Sequence, residues 1–243
     1  MRMLTFAKRS LKEIVRDPLT LIFGLGFPSV LILLLSAIQA NVPVSLFEID
    51  RLAPGMTVFG LSFMTLFSAT LIAKDRESAF LIRLYATPMK AADFIFGYTL
   101  PIIPIAVAQS AVCYGIGLLL GMKPTVNILY GLLMITPIAL VFIGLGLLFG
   151  SILNQKQVGG LCGALLTNLT AWLSGIWFDL ELVGGAFQKI ANCLPFYHAV
   201  QLEQVVVAGN FPEIWSHLWL VLGYGATAVL LAVVVFLRQM KKG

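Results

Sequence analysis

Long apolar stretches separated by short polar ones set the pattern of this chain. Runs at about 19–40, 53–73, 92–121, 127–150, 158–178 and 216–237 each approach or exceed the roughly 20 residues that a helix needs to cross a hydrocarbon core. They predict six transmembrane helices in an all-α membrane protein. The third run contains Pro101 and Pro104, which remove backbone donors and predict a kink. Residues 1–17 are different. Leu4, Ala7, Leu11, Ile14 and Val15 fall on one side of a helix, and Lys8, Arg9, Lys12, Glu13 and Arg16 on the other. That is the pattern of an amphipathic interface helix lying along a membrane, with its cations toward anionic headgroups. Asp17-Pro18 ends it. A basic start before an apolar run imitates a signal peptide. The run is longer than the roughly 7 to 15 residues of such a core, and it reads as an uncleaved first span.

Two connections stand out. Residues 74–90 hold the densest charge in the chain, from Lys74-Asp75-Arg76-Glu77-Ser78 to Arg83, Thr87-Pro88 and Lys90. As one short helix, this stretch places Asp75 and Glu77 in the first turn, where carboxylates favour the dipole, and Arg83 near the last. Phe80, Leu81 and Leu84 form an apolar stripe, so a helix too short to stand alone is expected to be docked. Residues 179–215 contain apolar pieces of about 10 residues broken by Gly184-Gly185, Pro195 and Gly209. They are too short to span and too apolar for a free loop, and predict re-entrant or interfacial half-helices before the last span. With no repeat or linker, residues 1–243 read as a single membrane domain.

Composition agrees: 59% hydrophobic and 11% charged residues, with a mean hydropathy of +0.96, lie far outside the soluble range. The net charge of +5 does not point to nucleic acid, because the cations are spread beside apolar runs without interleaved aromatics. Cys113, Cys162 and Cys193 show neither disulfide nor metal spacing and read as small hydrophobes. Arg2, Lys8, Arg9, Lys12, Arg16, Lys74, Arg76, Arg83, Lys90, Lys156, Arg238, Lys241 and Lys242 fall on one side of the six spans, against Arg51, Lys123 and Lys189 on the other. The positive-inside rule puts both termini and the 74–90 segment in the cytoplasm of a plasma-membrane protein.

Chemistry is sparse. Asp93 and His217 stand at span ends, and inside the spans only Gln109, Asn127, Asn168 and scattered hydroxyls are polar, which argues against an ion-driven carrier. No phosphate-binding loop, metal cluster or nucleophile with a base can be assembled. Gly144, Gly146 and Gly150, and Gly159, Gly160 and Gly163, read as close helix packing. Any active work must be powered by another polypeptide. A membrane enzyme acting on lipid-linked substrates would have to use His198 with Glu203 and Asp179, and a scaffold is the third class.

The chain resembles the transmembrane permeases of type-2 export ABC transporters, a group that includes drug exporters and polysaccharide or glycolipid exporters. The resemblance rests on Arg16-Asp17-Pro18-Leu19, on Asp75-Arg76-Glu77-Ser78 with Phe80-Leu81, Arg83-Leu84 and Thr87-Pro88-Met89, and on Leu194-Pro195-Phe196-Tyr197-His198-Ala199-Val200. The last departs from the family's Asn-Pro-Leu-Thr-Tyr pattern, with Gln201, Glu203 and Gln204 where an Arg is common. It implies that Asp75 to Leu84 is a coupling helix seated in an ATP-binding subunit, with Phe80, Leu81 and Leu84 in its groove. Glu77 and Arg83 would fix register, and Arg76 would meet the partner or headgroups. Lys8, Arg9, Lys12, Arg16 and Asp17 would belong to the interface helix. Two permease chains, identical or different, would assemble with two ATP-binding subunits that hold ATP and Mg, this chain binding no cofactor or metal and carrying no catalytic residue. The substrate path would run along Phe63, Met64 and Phe67 of the second span and Thr167, Asn168, Thr170, Ala171 and Trp172 of the fifth. A lining rich in aromatics and Met suits an amphipathic drug-like or lipid-like cargo moved out of the cytoplasm or inner leaflet.

Overall fold

The computed structural model describes residues 2–78, 80–85, 87 and 89–240, and among them every regular element is helical. The amphipathic helix α1 (Arg2–Val15) leads into a turn, Pro18–Leu21, and then α2 (Ile22–Gln39), whose first five residues are π-helical. Next come α3 (Ile49–Glu77), the short α4 (Phe80–Tyr85), α5 (Ala91–Leu119) and α6 (Asn127–Ile152). A helical run over 155–173, here α7, joins Gln155–Val158, a π-helix Gly159–Leu166 and Thr167–Leu173. Then follow α8 (Leu180–Val183), α9 (Gly185–Cys193), α10 (Pro195–Ala208) and α11 (Ile214–Met240).

Among the described residues, five helices are long and apolar enough to cross a membrane: α2, α3, α5, α6 and α11. The run predicted as a span at 158–178 is not among them. It is helical only to Leu173, and Gln155, Lys156 and Gln157 with Thr167, Asn168 and Thr170 dilute its hydropathy. The prolines of the third run act as expected. α5 is interrupted between Thr99 and Ile102, at Leu100-Pro101.

α3 is the axis of the bundle. Residues 52–65 are buried all round, and α2, α5, α6, α7 and α10 pack against it. Its hydroxyls are absorbed locally: Ser62 and Ser68 donate to carbonyls of their own helix, at 2.7 Å each, and Thr65 crosses to the Phe142 carbonyl of α6 at 2.8 Å. Lipid-facing helices gain little from apolar burial against each other, so close approach of small residues must bring them together. Gly146 and Gly150 do this. A Cβ on either would overlap Ser68, Ala69 or the backbone of α3. Gly144, on another face, meets Ala228 and Val229 of α11. Gly159 and Gly160 do not follow the expectation of close packing, since a Cβ there would meet nothing within 4 Å.

α1 is more than a surface float. Phe6, Ala7 and Ile14 are buried, whereas Leu4 and Val15, expected on the same side, are more than half exposed. Phe6 stacks edge-on against Phe94 and Tyr98 of α5, with ring centroids 5.9 and 4.9 Å apart. Gly97 between them leaves the room, because a Cβ there would collide with the Phe6 ring. Cys113 and Cys162 are buried as read, and Cys193 is exposed.

Replacing Gly146 by Val forces α3 and α6 apart. Overpacking of this kind costs about 1–3 kcal/mol, so the purified G146V chain is expected to unfold at lower temperature than wild type, while G160A at an open site does not.

Candidate functional site

The basic end of the bundle is organised by Asp75. It stands one turn from the end of α3 and is 1% exposed. Its carboxylate accepts both guanidinium arms of Arg9 from α1, at 2.5 and 2.6 Å, and the Tyr98 hydroxyl of α5 at 2.8 Å. A bidentate, charge-assisted pair with a third donor is the arrangement that repays burial of a carboxylate. Arg9 also reaches Glu13 at 2.7 Å, and Lys74 closes the ring to Glu13 at 2.7 Å. Burial alone would lower the Arg9 pKa. The hydrogen bond and charge of Asp75, helped by Glu13, outweigh it and raise the value, keeping the guanidinium charged.

This geometry corrects the expectation of one helix through 74–90. Asp75 and Glu77 lie in the last turn of α3, not in the first turn of a new helix. Lys74 and Arg76 are what complement the dipole there. Arg76 turns inward and donates to the Ser151 carbonyl and, at 2.5 Å, to the Leu153 carbonyl, capping the C-terminal end of α6. Glu77 accepts the backbone N–H of Gln155 at 2.8 Å, where α7 begins. Neighbouring side chains on α3 thus satisfy the end of one helix and the start of the next.

The predicted docking stripe also faces the other way. Leu81 of α4 is 1% exposed, and Phe80 and Leu84 pack on the core of this chain. The Arg9 guanidinium lies 4.4 Å above the Phe80 ring, a cation–π contact. α4 is therefore held by its own bundle, and among the described side chains Arg83 of α4 is exposed, with Ser78, Thr87 and Lys90 exposed on either side of the helix. Thr87 ends the helix by donating to the Leu84 carbonyl at 2.6 Å. Pro88 lies outside the described residues. On α1 the exposed Lys8, Lys12 and Arg16, with Asp17 at the end, line a groove of about 850 Å3 that reaches Lys74.

A second feature is a cavity of about 590 Å3 between α2, α3 and α7. Of the predicted path residues, Phe63, Thr167, Asn168 and Trp172 line it, as does Ala171. Met64, Phe67 and Thr170 do not: they are buried in the bundle, and Thr170 is engaged with the Leu166 carbonyl at 2.9 Å. Phe23, Phe27, Phe59, Trp177 and Phe178 complete an aromatic wall. Both π-helical stretches, Ile22–Gly26 and Gly159–Leu166, contribute to it through Phe23 and Gly163. Irregular turns of this type recur at functional positions. The Asn168 amide nitrogen is occupied by the Ala164 carbonyl at 2.8 Å.

The acid–base constellation conceived for a membrane enzyme does not assemble. Glu203 is fully buried and accepts a hydrogen bond from the Tyr114 hydroxyl of α5, while His198 of α10 meets His217 of α11, Nδ1 to Nδ1 at 3.0 Å. That histidine partner, 19 residues away, had no local signal in the sequence. Cys193 and His198 touch Tyr224 and His217 respectively, so the segment runs antiparallel to α11. Among the described residues no group of three or more metal-capable side chains forms.

A sequence model described as ABC-2 type transporter matches residues 1–207. No curated protein matches the chain.

Asp75→Asn is expected to cost about 1–3 kcal/mol by stranding a buried charge partner, read as loss of thermal stability. If the pin is direct, Arg9→Gln adds little to Asp75→Asn, and the double-mutant cycle returns a clear coupling. Glu203 has no cation partner and one oxygen without a hydrogen bond, so it is best accommodated as a neutral acid. Glu203→Gln should therefore unfold within a few degrees of wild type, and Glu203→Lys should fail to accumulate in the membrane.

Proposed function

Because the chain belongs to the ABC-2 type transporter family, we propose that it is the membrane-spanning permease subunit of an ATP-driven exporter, working with two ATP-binding subunits and a second permease chain in the plasma membrane. ATP and Mg belong to the partner, and this chain performs no chemistry of its own. The positive-inside rule orients both termini and α4 toward the cytoplasm. α7, continued through Ile176 and Phe178, supplies the sixth crossing, and α9 with α10 forms a re-entrant pair before α11.

The observation that carries this reading is the pinned α4. A six-residue helix is not stable alone, yet here its apolar side is fixed by Leu81 and by Arg9 over Phe80. The exposed Arg83 of α4, with Thr87 and Lys90 just beyond the helix, makes a small cationic knob with Glu77 at its edge. Such a knob suits an acidic, grooved partner surface. Contact is made by these polar residues, while Phe80, Leu81 and Leu84 pass the resulting force into the bundle. Lys8, Lys12 and Arg16 rest against anionic headgroups beside it.

The cargo is an amphipathic drug-like or lipid-like molecule accepted by the aromatic cavity. Aromatic and aliphatic side chains dominate its walls, and Thr167 and Asn168 are its polar side chains. A polyhydroxylated chain would need many more polar partners than these to replace lost water, which favours the amphipathic cargo over a polysaccharide.

The test is co-expression with the ATP-binding subunit and measurement of ATP-dependent efflux of a lipophilic dye from inverted vesicles. Arg83→Glu is expected to lower efflux and co-purification of the ATPase at least about ten-fold, equivalent to 1.4 kcal/mol of lost docking. The isolated permease should keep its thermal stability. Full efflux by the R83E protein would overturn the docking face.

A further inference from the structure

The contact between His198 and His217 has a consequence in its proton count. His198 Nε2 lies 2.8 Å from the Asn192 carbonyl oxygen. A carbonyl only accepts, so this nitrogen carries a hydrogen whatever the charge of the ring. Neutral His198 therefore presents a bare Nδ1, and the 3.0 Å contact with His217 Nδ1 needs one hydrogen, supplied by His217. A first added proton is taken without breaking the contact, on His217 Nε2, while Nδ1–H still donates to His198. A second proton makes both rings cations with both Nδ1–H groups aimed at each other. No hydrogen bond joins two donors, so the rings must part.

We propose that His198 and His217 form a one-proton clasp that fastens α9 and the first turn of α10 to α11 and releases them when a second proton is bound. The part free to move is α9 with the first turn of α10. Of α9 only Ala191 is buried, whereas the rest of α10 is packed into the bundle through Val200, Leu202 and Val206. The movable part begins at Gly184 and Gly185, each with φ of 60°, a conformation that glycine adopts without strain, and its polar contacts to α11 include the clasp and the bond from the Tyr224 hydroxyl to the Cys193 carbonyl.

The hydrogen-bond partners of the His198 ring are His217 and the Asn192 carbonyl, not a carboxylate. Glu213, in the turn before α11, acts on His217. The Tyr197 ring stands edge-on to both imidazoles, at centroid distances of 5.4 and 6.4 Å. Asp179 and Glu181 act on Tyr197, α9 brings Lys189, and Glu203 farther along α10 is turned to Tyr114. α3 meets α10 through the Arg51 carbonyl, which accepts from Gln204 at 3.0 Å. The sign is therefore fixed: the clasp is closed at neutral and alkaline pH and opens in acid.

The chain contains two histidines, which makes the test direct. Full-length protein labelled with [15N]histidine, purified on a tag without histidine and placed in nanodiscs, is titrated by NMR. Wild type is expected to lose its protons in two steps separated by more than about one pH unit, as interacting sites do, with Nε2 of His198 protonated throughout. Hydrogen exchange of residues 185–198 should rise at least about ten-fold below the lower step and not at the upper one. In His217→Phe, His198 should titrate once near its ordinary value of about 6.5, with no acid step in exchange. Two imidazoles titrating independently at one pH in wild type would overturn the clasp, as would an acid exchange step that survives in H217F. The wild-type titration decides even where the variant does not fold.

Discussion

A buried carboxylate at the tip of the central helix sets what the basic end of this molecule can be. Asp75 cannot be left without cations in a site 1% exposed to solvent, so Arg9 must come to it, and α1 comes with Arg9. Once α1 is seated, Phe6 fills the gap over Gly97, Arg9 covers Phe80, and Lys74 and Glu13 close the rim. α1 and α4, amphipathic or too short to stand alone, thereby join α3 and α5 in one rigid corner. The cost of burying an ion pair is offset by its third donor, Tyr98, and by the geometry of the guanidinium fork.

Much of this was legible, and the misreadings share a cause. Hydropathy located five of the six expected spans, the two prolines located the break in α5, and the small residues at 144, 146 and 150 located close packing, because these signals are local. The 74–90 stretch was read as one helix because its charges fit a helix start. That α3 continues to Glu77 depends on Arg76 and Glu77 capping α6 and α7, contacts 75 or more residues distant in sequence. The Phe80, Leu81 and Leu84 stripe was correctly identified as a docked surface, but periodicity does not name the surface it docks on. The aromatic wall was half visible: Phe63, Thr167, Asn168 and Trp172 followed from their spans, whereas Phe23, Phe27 and Trp177 enter through the path of α2 and the turn after α7. The histidine contact had no sequence signal, since two helices must fold against each other to create it.

The same separation of local and distant causes explains the two ends of the bundle. At the basic end, charges are paired and spent on helix termini, so the corner is stiff. At the opposite end, α9 follows two positive-φ glycines, has only Ala191 buried and meets α11 through the bond from Tyr224 to the Cys193 carbonyl, so that edge is held less firmly than α10, which is packed into the bundle. Regions with few fixed contacts and exposed hinges are those that open first.

α3 joins the two behaviours. It carries Asp75 at one end and Phe59 and Phe63 on the wall of the aromatic cavity, and its proline, Pro54, lies before these residues and not between them and Asp75. From Phe63 to Asp75 the helix rises about 18 Å at 1.5 Å per residue, with no π turn or glycine in the interval to absorb a tilt. A force applied at α4 reaches Asp75 through Arg9, and Asp75 cannot yield without exposing its charge. The displacement must then appear at Phe63. The opposing walls are where compliance is found: both contain π-helical stretches, and Gly159 and Gly160 stand in open space. A stiff lever against soft walls changes the shape of the cavity between them, which is what the proposed role would require of this chain.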